Sequence, residues 1–277
     1  MAGNCKYYKR EMYVSMDSGQ TWSGTGVYSQ GALIESASTD CGYVPPTPPT
    51  PSYENQYLTF RALEDTSFRR IEPWGEYWEY VNTYYSLDSG STWTSLQAYG
   101  EYTPTIHSGE TIMWKGSFTT SSHYPTIFSS TGRFEVEGNI MSLLYGDNFS
   151  GQTTLGSYEF NALFSGCTEM TSAENLVLPA TTLAYGCYWS MFEQCYSLTT
   201  APTLIATTLV DNCYTQMFYD CSSLNSVTCL ATNIPSLDCT SVWLDDVAST
   251  GTFYCPSSTQ WSSGSSGIPN GWTRVNI

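Results

Sequence analysis

The ten cysteines and two histidines of this 277-residue chain are its natural candidates for metal binding or nucleophilic chemistry. Zinc sites bring cysteines together in close pairs, with two to four residues between them. The nearest pairs here, Cys187 with Cys195, Cys213 with Cys221 and Cys221 with Cys229, are each eight apart. That offset fits two inward positions within one structural turn better than a ligand pair. We therefore read these cysteines as buried thiols, with some disulfides as the alternative and metal as the weakest reading. His107 and His123 have no cysteine nearby and no motif spacing to acids, so both read as surface-loop residues. No phosphate-binding glycine loop, nucleophile elbow or dinucleotide fingerprint is present. The expectation is no catalytic residue, no metal and no cofactor.

Carboxylates and aromatics remain. Glycoside hydrolysis needs only two carboxylates a few ångströms apart, so Asp245 with Asp246 and Glu135 with Glu137 qualify on paper. With 25 acids in the chain such pairs arise by coincidence, and we assign neither a role. Trp74, Tyr77, Trp78 and Tyr80 form a dense cluster. Tyr and Trp offer rigid surfaces with a polar edge, suited to protein or sugar contacts. Packing in a core or an interface accounts for the cluster better, but it is the candidate binding site that the sequence offers.

What would position these groups is a repeat. Phe164-Ser165-Gly166-Cys167 is followed by Phe192-Glu193-Gln194-Cys195 and Phe218-Tyr219-Asp220-Cys221, at intervals of 28 and then 26. Leu178-Pro179-Ala180-Thr181-Thr182-Leu183 returns 26 residues later as Leu204-Ile205-Ala206-Thr207-Thr208-Leu209. Cys187, Cys213 and Cys239 keep 26 both times. Leucine-rich repeats have periods of roughly 20 to 29 residues, and one such turn cannot bury its apolar face alone. Equivalent positions must therefore stack: Phe164, Phe192 and Phe218 in one ladder, Met170, Leu198 and Leu224 in another. Cys167, Cys195 and Cys221, and Cys187, Cys213 and Cys239, would form two more, since cysteine behaves as a small buried hydrophobe. The two extra residues of the first interval fall in Ser172–Val177 and are expected to bulge into a loop. The array, beginning near Phe160, fades after Cys239, where Trp243 and Leu244 stand where the next Phe is due.

Charged residues make up only 12% of the chain and aromatics reach 15%, a balance that favours strands and turns over surface helices. Nine basic against 25 acidic residues give a net charge of −16, which disfavours nucleic acid and anionic lipid as partners. No apolar run approaches the ~18 residues of a membrane span. The first ten residues carry no apolar signal-peptide core, so synthesis in the cytoplasm is expected.

Five prolines between Pro45 and Pro51 mark a stiff extended linker. It sets residues 1–44 apart as a small β module, which Cys5 and Cys41 flank and could staple. A module of this size is near the limit for folding alone, so we read it as an attachment module. Within it, Tyr13–Trp22 reads as a hairpin around Asp17-Ser18-Gly19. The same signature returns at Tyr84–Trp93, identical at seven of ten positions. Shared hairpin chemistry explains this; duplicated modules are the alternative. Residues 52–150 hold alternating strands at 57–63, 84–96, 111–116 and 132–138, as in a small β-sandwich. Residues 151–250 form the expected leucine-rich-type solenoid of three to four repeats. Residues 251–277, with Trp261, Pro269 and Trp272, would cap its open end.

The motif Phe-x-x-Cys-x-Ser-Leu, with Leu-Pro-Ala-Thr-Thr-Leu between copies, resembles the BspA-like leucine-rich repeats of Bacteroidetes surface proteins. Gly251-Thr252-Phe253, the ending Gly267–Thr273 and Tyr85–Trp93 strengthen the likeness, which covers about two thirds of the chain. It implies adhesion to proteins, cells or glycans, with no catalytic residue to carry over. The first module, from Cys5-Lys6-Tyr7-Tyr8-Lys9 to Ser38-Thr39-Asp40-Cys41, looks like short modules that open structural proteins of Bacteroides phages, crAss-like phages included. The resulting expectation is a non-enzymatic virion appendage, a tail or head fibre or a decoration protein. Residues 1–44 would bind other virion proteins, and the remainder would face a host or mucosal glycan or protein from the virion surface. A bacterial cell-surface adhesin and a capsule depolymerase are the alternatives, and homo-oligomerisation is left open.

Overall fold

A computed structural model of the chain describes residues 6–14, 23–35, 53–71, 82–96, 100–117 and 127–277. The fold is mainly β, as the composition implies, with several sheets and none closed among the described residues. The chain divides into two compact units, Met1–Pro51 and Ser52–Ile277, so the division falls at the end of the proline run. The first unit contains an antiparallel ribbon of β1 (Lys6–Val14) and β2 (Ser23–Glu35), joined in register from Val14↔Ser23 to Lys6↔Glu35 with bulges between. The expected turn at Asp17-Ser18-Gly19, and Cys5 and Cys41, lie outside the described residues.

The second unit begins with β3 (Leu58–Ala62), β4 (Phe68–Ile71), β5 (Asn82–Ser86), β6 (Thr94–Ser95), β7 (Thr111–Ser117), β8 (Ile127–Ser130) and β9 (Phe134–Asn139). A four-residue helix, α1 (Ser142–Tyr145), follows. Then come β10 (Met170–Val177), β11 (Ser226–Thr228), β12 (Gly251–Cys255) and β13 (Trp272–Asn276). The main sheet runs β10-β9-β3-β7-β5-β6, and β4 pairs with β8 in a ribbon beside it. Strands β3, β7 and β9 alternate apolar and polar residues, so Phe60, Ile112, Trp114, Phe134 and Val136 are buried. The β4·β8 ribbon closes over that face: Phe60 meets Phe68 and Phe128 with ring centroids 5.1 Å apart in both cases.

Residue 150 does not end this core. Parallel strands β9 and β10 pair across it from Met170↔Phe134 to Val177↔Asn139, and one apolar cluster extends from Leu58 to Trp272. The reason is that the repeat starts earlier than the 26-residue period indicates. Phe128 and Phe134 keep the six-residue spacing of Phe164 and Met170, Phe192 and Leu198, and Phe218 and Leu224. The backbone register agrees. The N–H of Phe128 donates to the Leu163 carbonyl, as Phe164 does to Met191, Phe192 to Met217 and Phe218 to Trp243. The two extra residues expected as a loop sit inside β10 instead, as one-residue bulges between Met170 and Ser172 and between Ser172 and Asn175. At the other end the tail does not merely cover the array. Strand β12 pairs in parallel with β11, and β13 with β12, so the ladder continues to Asn276.

Between the strand positions, the repeats fold by a four-residue rule. Left-handed backbone recurs at Tyr158, Ala162 and Gly166, at Gly186, Ser190 and Gln194, at Asn212, Gln216 and Asp220, and at Val242 and Asp246. In the middle copies the two residues after each of the first two such positions turn inward: Cys187 and Tyr188, Met191 and Phe192, Cys213 and Tyr214, Met217 and Phe218 are all buried. Backbone donors alternate in their use. Trp189, Met191 and Glu193 donate locally to Gly186, Tyr188 and Ser190, while Tyr188, Ser190 and Phe192 donate to Cys213, Thr215 and Met217 of the next copy. This satisfies the buried amides without helix or sheet. It offsets the ~1–3 kcal/mol that a non-glycine residue costs in left-handed backbone.

Candidate binding surface

The ladders expected from the sequence can now be located residue by residue. Phe164 stacks on Phe192 at 5.5 Å and 20°, and Phe192 on Phe218 at 5.3 Å and 7°. Phe128 extends the series downward, 6.0 Å from Phe164 at 26°. Leu244 takes the next position in register. Trp243, its neighbour, stacks instead on Tyr214 at 6.1 Å, within a second ladder of Phe160, Tyr188, Tyr214, Trp243 and Trp261.

The eight cysteines between Cys167 and Cys255 are free and buried. The Sγ–H groups of Cys167, Cys195 and Cys221 donate to the carbonyls of Phe128, Phe164 and Phe192 at 2.8, 3.1 and 2.9 Å, so each thiol ties its copy to the preceding one. Cys213 similarly lies 3.8 Å from the Cys239 carbonyl. Burial pushes Cys187 and Cys229 up to about 12, and Cys195 well above the usual thiol range. These groups stay protonated at neutral pH and serve packing, since the thiolate is the nucleophile and metal ligand. No cluster of three metal-ligating side chains occurs among the described residues.

Of the histidines, His107 is exposed and raised in pKa by its hydrogen bond to Asp65, with Nδ1 to Oδ1 at 3.1 Å. His123 lies outside the described residues, as do Trp74, Tyr77, Trp78 and Tyr80. Glu137 is held by Arg61 at 3.0 and 3.2 Å and by Gln56 at 3.0 Å. Those bonds commit it to bracing β3 against β9. Asp246 sits exposed in a left-handed turn position.

The outward face of the repeats carries two kinds of group. One is hydroxyl. Thr153-Thr154, Thr181-Thr182, Thr207-Thr208 and Thr232-Asn233 are all exposed. The amides of Thr181 and Thr182 both donate to the Thr153 carbonyl, and those of Thr232 and Asn233 to that of Thr207. Along the strands, Ser172, Thr200, Ser226, Thr252 and Thr273 form a second row that starts from the Glu135 carboxylate, bridged in parallel from one copy to the next.

The other kind is aromatic. The Tyr158 ring lies flat on Gly186, so close that a Cβ there would fall 2.8 Å from two ring carbons. Tyr185 meets the same ring edge-on at 5.3 Å, and Trp189 stacks near it at 6.3 Å and 27°. Trp189 is anchored by its indole N–H, which donates to Gln216 Oε1 at 3.0 Å. Tyr185 is 42% exposed, and Tyr145, 37% exposed, interacts with the Glu159 charge. Burial raises the Glu159 pKa, and its Oε2 accepts from the Gly156 amide at 2.8 Å. The sequence reading missed this patch. Its residues occupy outward positions of the four-residue rule, which neither the 26-residue period nor local aromatic density marks. Adjacent Tyr188 and Trp189, one inward and one outward, are the visible trace of that rule.

Searches against protein families, curated proteins and solved structures gave no match for this chain.

Proposed function

We propose that the chain is a non-enzymatic adhesion protein carried as a virion appendage, whose repeats form a leucine-rich-type solenoid packed onto a small sandwich-like sheet. The observation that carries the reading is the unbroken series of parallel pairings from β9 through β10, Thr200, β11 and β12 to β13. A frame tied copy to copy in this way holds outward side chains at fixed spacing. Preorganisation of that kind lowers the ordering cost of binding. The groups so held are hydroxyls and the Tyr158, Tyr185 and Trp189 rings, which suit glycan or protein surfaces. The division at Pro51 supports a separate attachment role for the first unit, because a two-stranded ribbon is marginal by itself.

The test is incorporation and adhesion together. The full chain and a chain starting at Ser52 are supplied during infection, and purified particles are analysed by mass spectrometry. The full chain should travel with particles and the shortened one should not. Recovery of the full chain in the cell envelope instead would favour the bacterial adhesin. Tyr185→Ala and Trp189→Ala should weaken attachment of the isolated protein to host cells; equal attachment would remove the patch from the binding face. Shortening of capsular polysaccharide on incubation would overturn the non-enzymatic reading.

A further inference from the structure

The second aromatic ladder ends on Trp261, and beside that last ring lies a cleft of about 290 Å3. Trp261 is fixed in place. It stacks on Trp243 at 5.3 Å and 6°, and Phe253 meets it edge-on at 5.1 Å. The loop that carries the far wall is equally constrained, with Trp243 Nε1 donating to the Gly267 carbonyl at 3.0 Å and the Ile268 amide donating to that of Ser262 at 2.9 Å. The cleft is therefore preformed.

Its lining is chemically specific. No lining side chain is ionisable, although acids outnumber bases heavily in the chain. Ile234, Pro235 and the Trp261 ring provide apolar surface, and Ser236, Thr240, Gln260 and Ser266 provide polar atoms. The Ser236 hydroxyl proton is committed to Asp211 Oδ1 at 3.0 Å, and that of Thr240 to the Ser266 carbonyl at 2.8 Å. Both oxygens are left with acceptor capacity. The Ser266 hydroxyl accepts from the Val242 amide at 3.0 Å and keeps its proton to donate. The Trp261 indole N–H is buried without an acceptor in the protein. Trp114 Nε1 and Tyr188 Oη share that condition, but those residues are enclosed in the core, whereas Trp261 borders open space. The Trp261 N–H has no accessible surface, however, so Trp261 contributes its ring to the cleft and not its donor.

An aromatic wall, a hydroxyl donor beside two hydroxyl acceptors, no ionisable lining and room for about one ring are together the recognition chemistry of a neutral sugar. We infer that this cleft binds one neutral pyranose unit of a glycan, with Trp261 as its apolar platform. The inference rests on the adhesive reading for the source of the sugar, a host-surface or mucosal glycan.

Saturation-transfer NMR on the full chain tests it, with glucose, galactose, mannose, fucose and N-acetylglucosamine as neutral probes and glucuronate as the charged one. At least one neutral sugar should receive saturation, with a Kd on the order of 1 mM, the range expected for a few hydrogen bonds and one ring contact. Glucuronate should receive less. Trp261→Leu keeps apolar volume against Trp243 and removes the aromatic platform; Gln260→Leu changes only an exposed wall residue. Each should weaken the signal about fivefold or more, while Leu87→Ala, at an exposed residue of the β5–β6 hairpin, leaves it unchanged. Absence of saturation for every neutral sugar, or a signal indifferent to both cleft variants, would overturn the inference. The two readings fail separately. A chain that adheres to cells while its sugar signal ignores Trp261 loses the cleft and keeps adhesion. One whose sugar signal depends on Trp261 but which adheres to no cell keeps the cleft and loses adhesion.

Discussion

Aromatic rings meet at steep angles around the centre of the antiparallel half of Ser52–Ile277 and nearly parallel along the two ladders of the repeat half. Around Phe60 the partners Phe68, Trp114, Phe128 and Phe134 lie at 54°, 46°, 87° and 50°. Along the repeats, Phe192 and Phe218 differ by 7°, Phe160 and Tyr188 by 15°, and Trp243 and Trp261 by 6°. Both arrangements avoid the face-to-face sandwich that the ring quadrupole disfavours, one by tilting and the other by offset. The difference records how each half was assembled. Strands β3, β4, β7 and β8 converge on one point from different directions, so each contact is unique. The repeats present the same position again and again, so rings are related by translation. Phe128 belongs to both, at 87° to Phe60 and 26° to Phe164.

The convergent centre should be the less forgiving. Phe60 is fully buried and touches five rings. Phe60→Ala should destabilise the second unit by about 4–5 kcal/mol, the upper end for a phenylalanine truncation. Because Phe128 and Phe164 join the two halves, urea unfolding followed by tryptophan fluorescence and by circular dichroism should give one coincident transition. Separate transitions would mean that the halves unfold independently. In the ladder the corresponding change, Phe192→Ala, should cost about 3–4 kcal/mol. Phe192→Leu should cost only about 1–1.5 kcal/mol, since Leu244 already fills the equivalent place. A Leu variant as damaged as the Ala variant would show that ring stacking, rather than volume, holds the ladder.

This contrast also explains what could be read from the sequence. Translation leaves a period, so the Phe and Cys ladders were visible at 26 and 28 residues. Convergence leaves none, so the β4·β8 ribbon and its contact with Phe60 were not. The first copy escaped for an intermediate reason: Phe128 precedes Phe164 by 36 residues, and only the internal six-residue spacing to Phe134 marks it. Strands β3, β5, β7 and β9 were legible because alternation with Gly and Ser turns is a local signal. The aromatic patch and the Trp261 cleft were not, because each depends on residues from separate copies and loops.

A smaller effect separates the two halves at a single glycine. Gly186 takes φ +62° and lies under the Tyr158 ring. Gly186→Ala adds a Cβ in left-handed backbone and displaces that ring, so about 1–2 kcal/mol should be lost. Trp189 fluorescence should change with it. Gly100 also has positive φ, +79°, but nothing lies within 4 Å of the space a Cβ would fill. Gly100→Ala should therefore pay for backbone strain alone, and comparable losses at both sites would deny the ring contact any weight.

The smallest effect belongs to the hairpin between β5 and β6. There the Asp88 carboxylate accepts from the Thr92 hydroxyl at 2.7 Å, the Thr92 amide at 2.8 Å and the Ser86 hydroxyl at 2.7 Å, while the Gly90 amide donates to Ser86 Oγ at 2.9 Å. These bonds, that of Thr92 foremost, lower the Asp88 pKa to about 2. A depressed carboxylate contributes stability above its unfolded value near 3.8, and that contribution is lost as pH falls towards 2. The turn should loosen across that window, read by NMR shifts of Gly90 and Thr92, with the repeats unaffected. Asp88→Asn should abolish the pH dependence. The seven positions shared with Tyr13–Trp22 include the Ser, Asp, Gly and Thr that make these bonds.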